Sequence, residues 1–232
     1  SDETSVMTSV KGFQAYQQAG VLPLVGQWNT HTYEANDEAR IHLSQLCREQ
    51  KKHLWMSEVG AGGKGLDGNL KLAEKLIHDI RMLRPAAWLD WQYIEDNNDQ
   101  WCLVKGDFYG GTQEFHKVKN YYVRQQFSRF IPQGYQFIHS SEESTLAALS
   151  PQADTLVIVS INRTEQAKNM QVDISGVTRK GIRARKAVVY RTSETSNLVQ
   201  IRKGIIMANK DKSLSYCIPA RSIITLVMPL RK

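Results

Sequence analysis

Over the first 130 or so positions the apolar residues recur at two periods that alternate along the chain. Val10, Phe13 and Tyr16 fall three apart between Thr8 and Ala19, which predicts a helix ended by Gly20. Val21 to Trp28 then reads as a buried strand, with Pro23 pushing its productive part to Leu24 onward. Asp37 to Gln50 predicts a second helix, with Ile41, Leu43, Leu46 and Cys47 as its apolar side. Leu54 to Glu58 predicts a second strand, and Asn69 to Leu83 gives the strongest helical period, through Leu70, Leu72, Ala73, Leu76, Ile77 and Ile80. A third strand is expected from Ala86 to Tyr93, a polar loop from Glu95 to Gln100, and a helix rich in aromatics from Lys119 to Ile131, ended by Pro132 and Gly134. Strand and helix alternating at this spacing imply parallel βα units with right-handed crossovers. Three such units make a sheet fragment and cannot close an eight-stranded barrel.

After Gly134 the pattern shortens. Tyr135 to His139, Leu156 to Asn162, Met170 to Ile174, Ala187 to Thr192, Ser213 to Ile218 and Ser222 to Met228 are short β-type runs separated by polar turn segments. That is the pattern of an antiparallel sandwich. The reading is thus α/β plus all-β, with a boundary near 131–134.

Composition narrows the class. The chain has 232 residues, 41% of them hydrophobic and 23% charged, enough for one large or two small globular domains. No apolar run approaches the length of a membrane span. The chain opens on Ser1 without methionine or a leader-type segment, and so reads as trimmed from something longer. A net charge of +7 raises the question of nucleic acid. The surplus sits in scattered clusters such as Arg179, Lys180, Arg183, Arg185 and Lys186, with no zinc-finger, basic-region or RNP-type motif, and reads as a solvated basic edge. Cys47, Cys102 and Cys217 offer neither a disulfide framework nor ligand spacing, and His42, His53, His78 and His116 form no metal set with acids.

Chemistry gathers at the predicted strand ends. The first strand ends in Trp28, Asn29, His31 and Tyr33, the second in Ser57 and Glu58, and the third in Trp91 and Gln92. In a parallel α/β sheet the C-terminal strand ends are where ligands bind. A carboxylate is costly to desolvate there, so Glu58 must be used or paired. Taken alone it could cap the next helix or pair with an arginine. His31 could satisfy a buried carbonyl, Trp28 reads as core packing, and Trp88 as packing between sheet and helices. An acid flanked by aromatics and amide or imidazole donors suits a sugar site: rings stack on pyranose C–H faces, and a carboxylate serves the positively polarised anomeric centre.

The series His31-Thr32-Tyr33, Leu54-Trp55-Met56-Ser57-Glu58 and Trp88-Leu89-Asp90-Trp91-Gln92 resembles the latter half of glycoside hydrolase family 30. Tyr121-Tyr122 through Gln126-Phe127-Ser128-Arg129-Phe130-Ile131-Pro132 resembles its last barrel helix, and Ile218-Pro219-Ala220-Arg221-Ser222-Ile223 its closing side-domain strand. The resemblance implies the C-terminal part of a TIM (β/α)8 barrel over 1–133, followed by a side β-sandwich over 134–232. It implies a retaining β-glycosidase with Glu58 as nucleophile on barrel strand seven. His31, Tyr33, Trp91, Asn29, Ser57 and Gln92 would bind the substrate, an oligo- or polysaccharide. The run from Gln27 to Tyr33 is similar, loosely, to the endo-β-1,6-galactanase branch. No metal or organic cofactor, nucleic-acid partner or membrane span is implied, and the family acts mostly outside the cytoplasm. Its acid/base is a Glu after an Asn on barrel strand four. The chain has no Asn-Glu pair, so that residue is expected from a missing N-terminal half of the barrel. The alternative is a non-catalytic carbohydrate-binding or scaffold fragment.

Overall fold

A computed structural model of the chain describes residues 2–60, 63–177, 183–184, 187–201, 205–208 and 213–231. Arg179, Lys180, Arg185 and Lys186 of the basic edge lie outside the described residues. Two compact units emerge, one of Ser1–Gly63 and Lys75–His116, the other of Lys64–Glu74 and Lys117–Lys232.

The first unit holds β1 (Asp2–Ser5), α1 (Val6–Gln18), β2 (Gln27–Glu34), α2 (Asp37–Glu49), β3 (His53–Val59), most of the C-terminal half of α3 (Gly65–Met82) and β4 (Ala87–Asp90). The four strands pair in parallel in the order β1-β2-β3-β4. One strand more is present than the hydrophobic pattern predicts, because Asp2-Glu3-Thr4-Ser5 has no apolar residue to betray it. The expected strand at Val21 is also corrected. Leu22–Leu24 is a single 3-10 turn with proline in its first positions, and Leu24 is 86% exposed. Proline lacks the N–H that a central ladder requires, so pairing starts only at Gln27.

Local caps define the helices. The Ser5 hydroxyl accepts from the Thr8 amide to start α1, and the Asn36 side chain accepts from the Ala39 amide at 2.8 Å to start α2. Gly20, at φ +72°, takes the left-handed conformation past the end of α1. The helices cover one sheet face: Trp28 is fully buried, meets the Phe13 ring at 4.8 Å and donates from Nε1 to Ser9. The polar loop expected from Glu95 to Gln100 begins inside β5 (Ile94–Asp96), which forms a small sheet with β6 (Val104–Gly106) and β7 (Phe115–Lys117).

The second unit carries α4 (Lys119–Ser128) and ten strands: β8 (Gln136–Ile138), β9 (Thr145–Leu149), β10 (Thr155–Asn162), β11 (Lys168–Asp173), β12 (Arg183–Ala184), β13 (Val188–Ser193), β14 (Ser196–Ile201), β15 (Ile205–Ala208), β16 (Ser213–Ile218) and β17 (Ser222–Arg231). One sheet runs β14-β13-β17-β10-β9-β8, with β12 also on β17, and a second runs β11-β16-β15. The pairings are antiparallel. Period-2 alternation on β17 sends Ile224, Leu226, Met228 and Leu230 into a core with Leu156, Ile158, Leu214 and Tyr216. The other face of β17 is also buried. There Thr225 donates to the Gln126 side chain of α4 at 2.6 Å, and Gln126 donates to Thr192 at 2.9 Å.

Candidate active site

The position of Glu58 depends on an irregularity in β3. Thr30 pairs with Met56 but His31 with Glu58, and on the other side Met56 pairs with Trp88 but Val59 with Asp90. Between Met56 and its end, β3 therefore holds one residue more than either neighbour, which is a β-bulge. Strict alternation would put Glu58 on the face of Leu54 and Met56, under the helices. With the extra residue, buried Val59 takes that face and Glu58 turns to the opposite one, beside His31. On β2 the same division holds: Trp28, Thr30 and Thr32 face the helices, while Asn29, His31 and Tyr33 share the other face.

Glu58 is 26% exposed at its side chain, and both oxygens are engaged. The Tyr33 hydroxyl donates to Oε1 at 3.1 Å. His31 Nε2 lies 3.5 Å from Oε2 and 3.2 Å from Asp2 Oδ1, without the alignment of a full hydrogen bond to either. His31 is 8% exposed, so its ring is held between two carboxylates and away from bulk water. The Ser57 hydroxyl donates to the same Asp2 oxygen at 2.5 Å. The Tyr33 phenol is pushed up to about 12, first by burial and then by the hydrogen bond to Glu58 and its negative charge. It therefore stays a neutral donor at ordinary pH.

The remaining residues expected at the site are placed less uniformly. Trp91 follows β4, its amide donates to the Val59 carbonyl at 3.0 Å, and its side is 45% exposed. Gly60 makes this approach possible: a Cβ there would stand 2.7 Å from the Trp91 carbonyl oxygen. Asn29 accepts from Gln27 at 2.6 Å. Gln92 is drawn to the following loop, donating to Glu95 at 2.6 Å, where Trp101 Nε1 also donates at 3.1 Å. Those two donors, Gln92 first, hold the Glu95 carboxyl below its usual range.

Two features of the site were not among the residues singled out from the sequence. Asp2 is one, because polar β1 gave no periodic signal. The other is a buried ionic hub. Asp79 on α3 is fully buried and accepts from Arg40 Nε at 2.9 Å, from the Thr32 hydroxyl at 2.8 Å and from Trp88 Nε1 at 3.0 Å. It ties β2, α2, α3 and β4 together directly behind His31 and Tyr33, and Trp88 does lie between sheet and helix. A sequence signal existed: Arg40 stands three and seven residues before buried Leu43 and Cys47, on the inward register of its helix.

No protein-family model matches the chain. Over 165 residues it is 32% identical to an endo-beta-1,6-galactanase of Hypocrea rufa, across 70% of this chain and 32% of that protein. Its fold is shared with a glycoside hydrolase family 30 subfamily 8 xylanase from Clostridium acetobutylicum, at TM-score 0.71 and 23% identity over 90% of this chain and 50% of that one. It is shared also with the catalytic domain of the GH30 xylanase C from Talaromyces cellulolyticus, at TM-score 0.71 and 16% identity over 98% and 51%. The chain thus spans 32% of the length of the curated relative and about half of each solved structure.

Proposed function

We propose that this chain, which is of the glycoside hydrolase family 30 type, is part of a retaining β-glycosidase that cleaves polysaccharide, with Glu58 as its nucleophile. Residues 1–133 would supply the last βα units of a (β/α)8 barrel and 134–232 a side β-sandwich. The name of the Hypocrea rufa relative supports a β-1,6-linked galactan as substrate. The observation that carries the reading is the bulged end of β3, which turns a part-exposed carboxylate toward a phenol donor and an imidazole on the sheet face away from the helices.

The chemistry is a double displacement. A Glu58 oxygen attacks the anomeric carbon as the glycosidic C–O bond breaks, and a second carboxylic acid gives its proton to the leaving oxygen. Water, deprotonated by that same group, then attacks the anomeric carbon and releases Glu58. Tyr33 and His31 fix the carboxylate and reach the sugar bound to it. Trp91 offers a ring face for stacking, and Asn29, Ser57 and Gln92 offer hydrogen bonds to hydroxyls. The second carboxyl is assigned to a missing N-terminal half of the barrel in a longer parent protein, since the 232 residues contain no Asn-Glu pair. No metal or organic cofactor takes part. A polymeric substrate is too large to enter a cell, so the enzyme is placed outside the cytoplasm. Among the described residues no helix is long and apolar enough to cross a membrane.

The test is treatment of the longer parent with an activated 2-fluoro glycoside, followed by peptide mass spectrometry. The expected result is a covalent sugar on the peptide bearing Glu58 and near-complete loss of turnover in Glu58→Gln, which keeps shape but cannot form the ester. Label on another acid, with Glu58→Gln still active, overturns the assignment.

A further inference from the structure

The excursion after β4 exposes large aromatic rings to an extent that core packing does not account for. Tyr109 is 88% exposed, Phe115 57% and Phe108 48%, and they form one group, Phe108 standing 6.5 Å from each of the other two, centroid to centroid. Isolated apolar residues on a surface are ordinary, whereas a contiguous group rimmed by polar residues marks a contact surface.

The turn that carries this group is closed by its own hydrogen bonds. The Asp107 carboxylate accepts from the Gly110 amide at 2.7 Å and the Thr112 hydroxyl at 3.1 Å, and Asp96 accepts from the Phe108 amide at 2.8 Å. Gly106 lets the Phe108 ring lie against the strand, since a Cβ there would meet its Cε1 at 2.5 Å. At Gly110 a Cβ would collide with the Asp107 carboxylate. A turn whose backbone is already tied by these hydrogen bonds loses less entropy when a ligand arrives than a free loop would.

The same excursion reaches the rim of the candidate active site. Trp101 packs where a Gly60 Cβ would approach its own Cβ to 3.3 Å, two residues beyond Glu58, and its backbone carbonyl accepts from the Gln92 amide at 2.7 Å. From Trp91 the path runs through Gln92, Glu95 and Trp101 into the small sheet whose β7 carries Phe115 and whose β6–β7 connection carries Phe108 and Tyr109.

We propose that Phe108, Tyr109 and Phe115 form an accessory subsite that binds a further pyranose ring of the same polysaccharide chain whose cleaved bond lies at Glu58. The ring faces stack on sugar C–H surfaces, and the hydroxyl of exposed Tyr109 meets a sugar hydroxyl. The assignment rests on the glycosidase reading and names where its polymer continues. A longer chain therefore gains affinity over a short one, and the gain resides in these rings.

The test is isothermal titration of the full chain with β-1,6-linked galactobiose and galactohexaose. The hexaose is expected to bind more tightly by about tenfold or more, the scale of one aromatic anchor. Tyr109→Ala combined with Phe108→Ala removes most of that gain, and Tyr109→Trp keeps it. Tyr109 is so exposed that Tyr109→Ala alone is expected to leave the melting temperature unchanged while still lowering the chain-length gain, which separates lost binding from lost folding. Equal affinities for the two sugars, no binding of either, or a gain that survives the double substitution overturns the subsite. Labelling at Glu58 is read separately. Label with no chain-length gain leaves the catalytic reading and ends this one, and the reverse result leaves a binding surface without the nucleophile.

Discussion

Tyr33 shows how one side chain can serve both charge and shape at this site. Its hydroxyl donates to Glu58 while its ring stays 40% exposed, and burial with the neighbouring carboxylate pushes the phenol up to about 12. A donor to an ionised group contributes about 1.5–3 kcal/mol where the charge is partly shielded from water. Tyr33→Phe removes it without changing the ring, and the expected cost to kcat/KM of the parent enzyme is roughly ten- to a hundredfold. Steady-state kinetics checks this, and a loss below about twofold would place the bond outside the mechanism. The sign of the pH effect follows from the raised value. Relative to an unfolded tyrosine near ~10, the contribution of the neutral phenol is fully present below that pH and is lost as pH rises through about 12. Buried Tyr216, also pushed up to about 12, acts in the same window. Denaturation followed against pH should show stability falling from about 10 upward, with tyrosinate absorbance appearing late for these two residues. Neither residue places any dependence near neutral pH.

At the scale of elements, the bulge in β3 and the close approach at Gly60 aim the site. The sequence period gave the strands and helices that carry it, because long apolar stripes such as Leu70 to Ile80 are decided by burial alone. It could not give the bulge, since one extra residue leaves the run Leu54 to Val59 unchanged to the eye while inverting which face Glu58 takes. It also missed β9, Thr145–Leu149, whose two alanines weaken a strand signal although both faces are buried, and β1, which is wholly polar. His31, Tyr33 and Glu58 were legible as strand-end chemistry; Asp2 and Asp79 were not, since their partners are remote in sequence. Gly60→Ala tests the aim directly. The new methyl would meet a backbone carbonyl at 2.7 Å, which cannot swing aside as a side chain can. A loss of about 1–3 kcal/mol is expected from such overpacking, together with a fall in turnover from the displaced Trp91. A denaturant midpoint and kcat unchanged from wild type would show that the contact is not constraining. Asp79→Ala should cost more, about 3–5 kcal/mol, because it removes the buried carboxylate paired with Arg40 Nε and leaves the guanidinium only its Nη1 contacts to the Ala35 carbonyl and Asp37. Urea unfolding reads that value, and a change within error of zero would mean Arg40 finds another partner.

For the molecule as a whole, the decisive number is four: the described sheet has four parallel strands, where a closed (β/α)8 barrel has about eight. The chain likewise spans only part of each relative. On the proposed mechanism the two chemical roles then fall in different places. Glu58 is within the 232 residues, and the acid that protonates the leaving oxygen is supplied by the longer parent. General acid catalysis is worth about 10²–10⁴-fold, and its loss is felt most where the leaving group is a poor one such as a sugar alkoxide. The 232-residue chain should therefore hydrolyse polysaccharide at least that much more slowly than the parent. An aryl glycoside with a good leaving group needs no proton at departure, so the chain should lose less on it wherever the sugar still binds. Added azide can take the place of the activated water in the second step, and the product should then be a β-glycosyl azide. Parallel assays of chain and parent on both substrates, with and without azide, measure each of these differences. If the chain cleaves polysaccharide as fast as the parent, the acid lies within it, and Asp2 becomes the first residue to substitute, since it faces the same His31 nitrogen as Glu58.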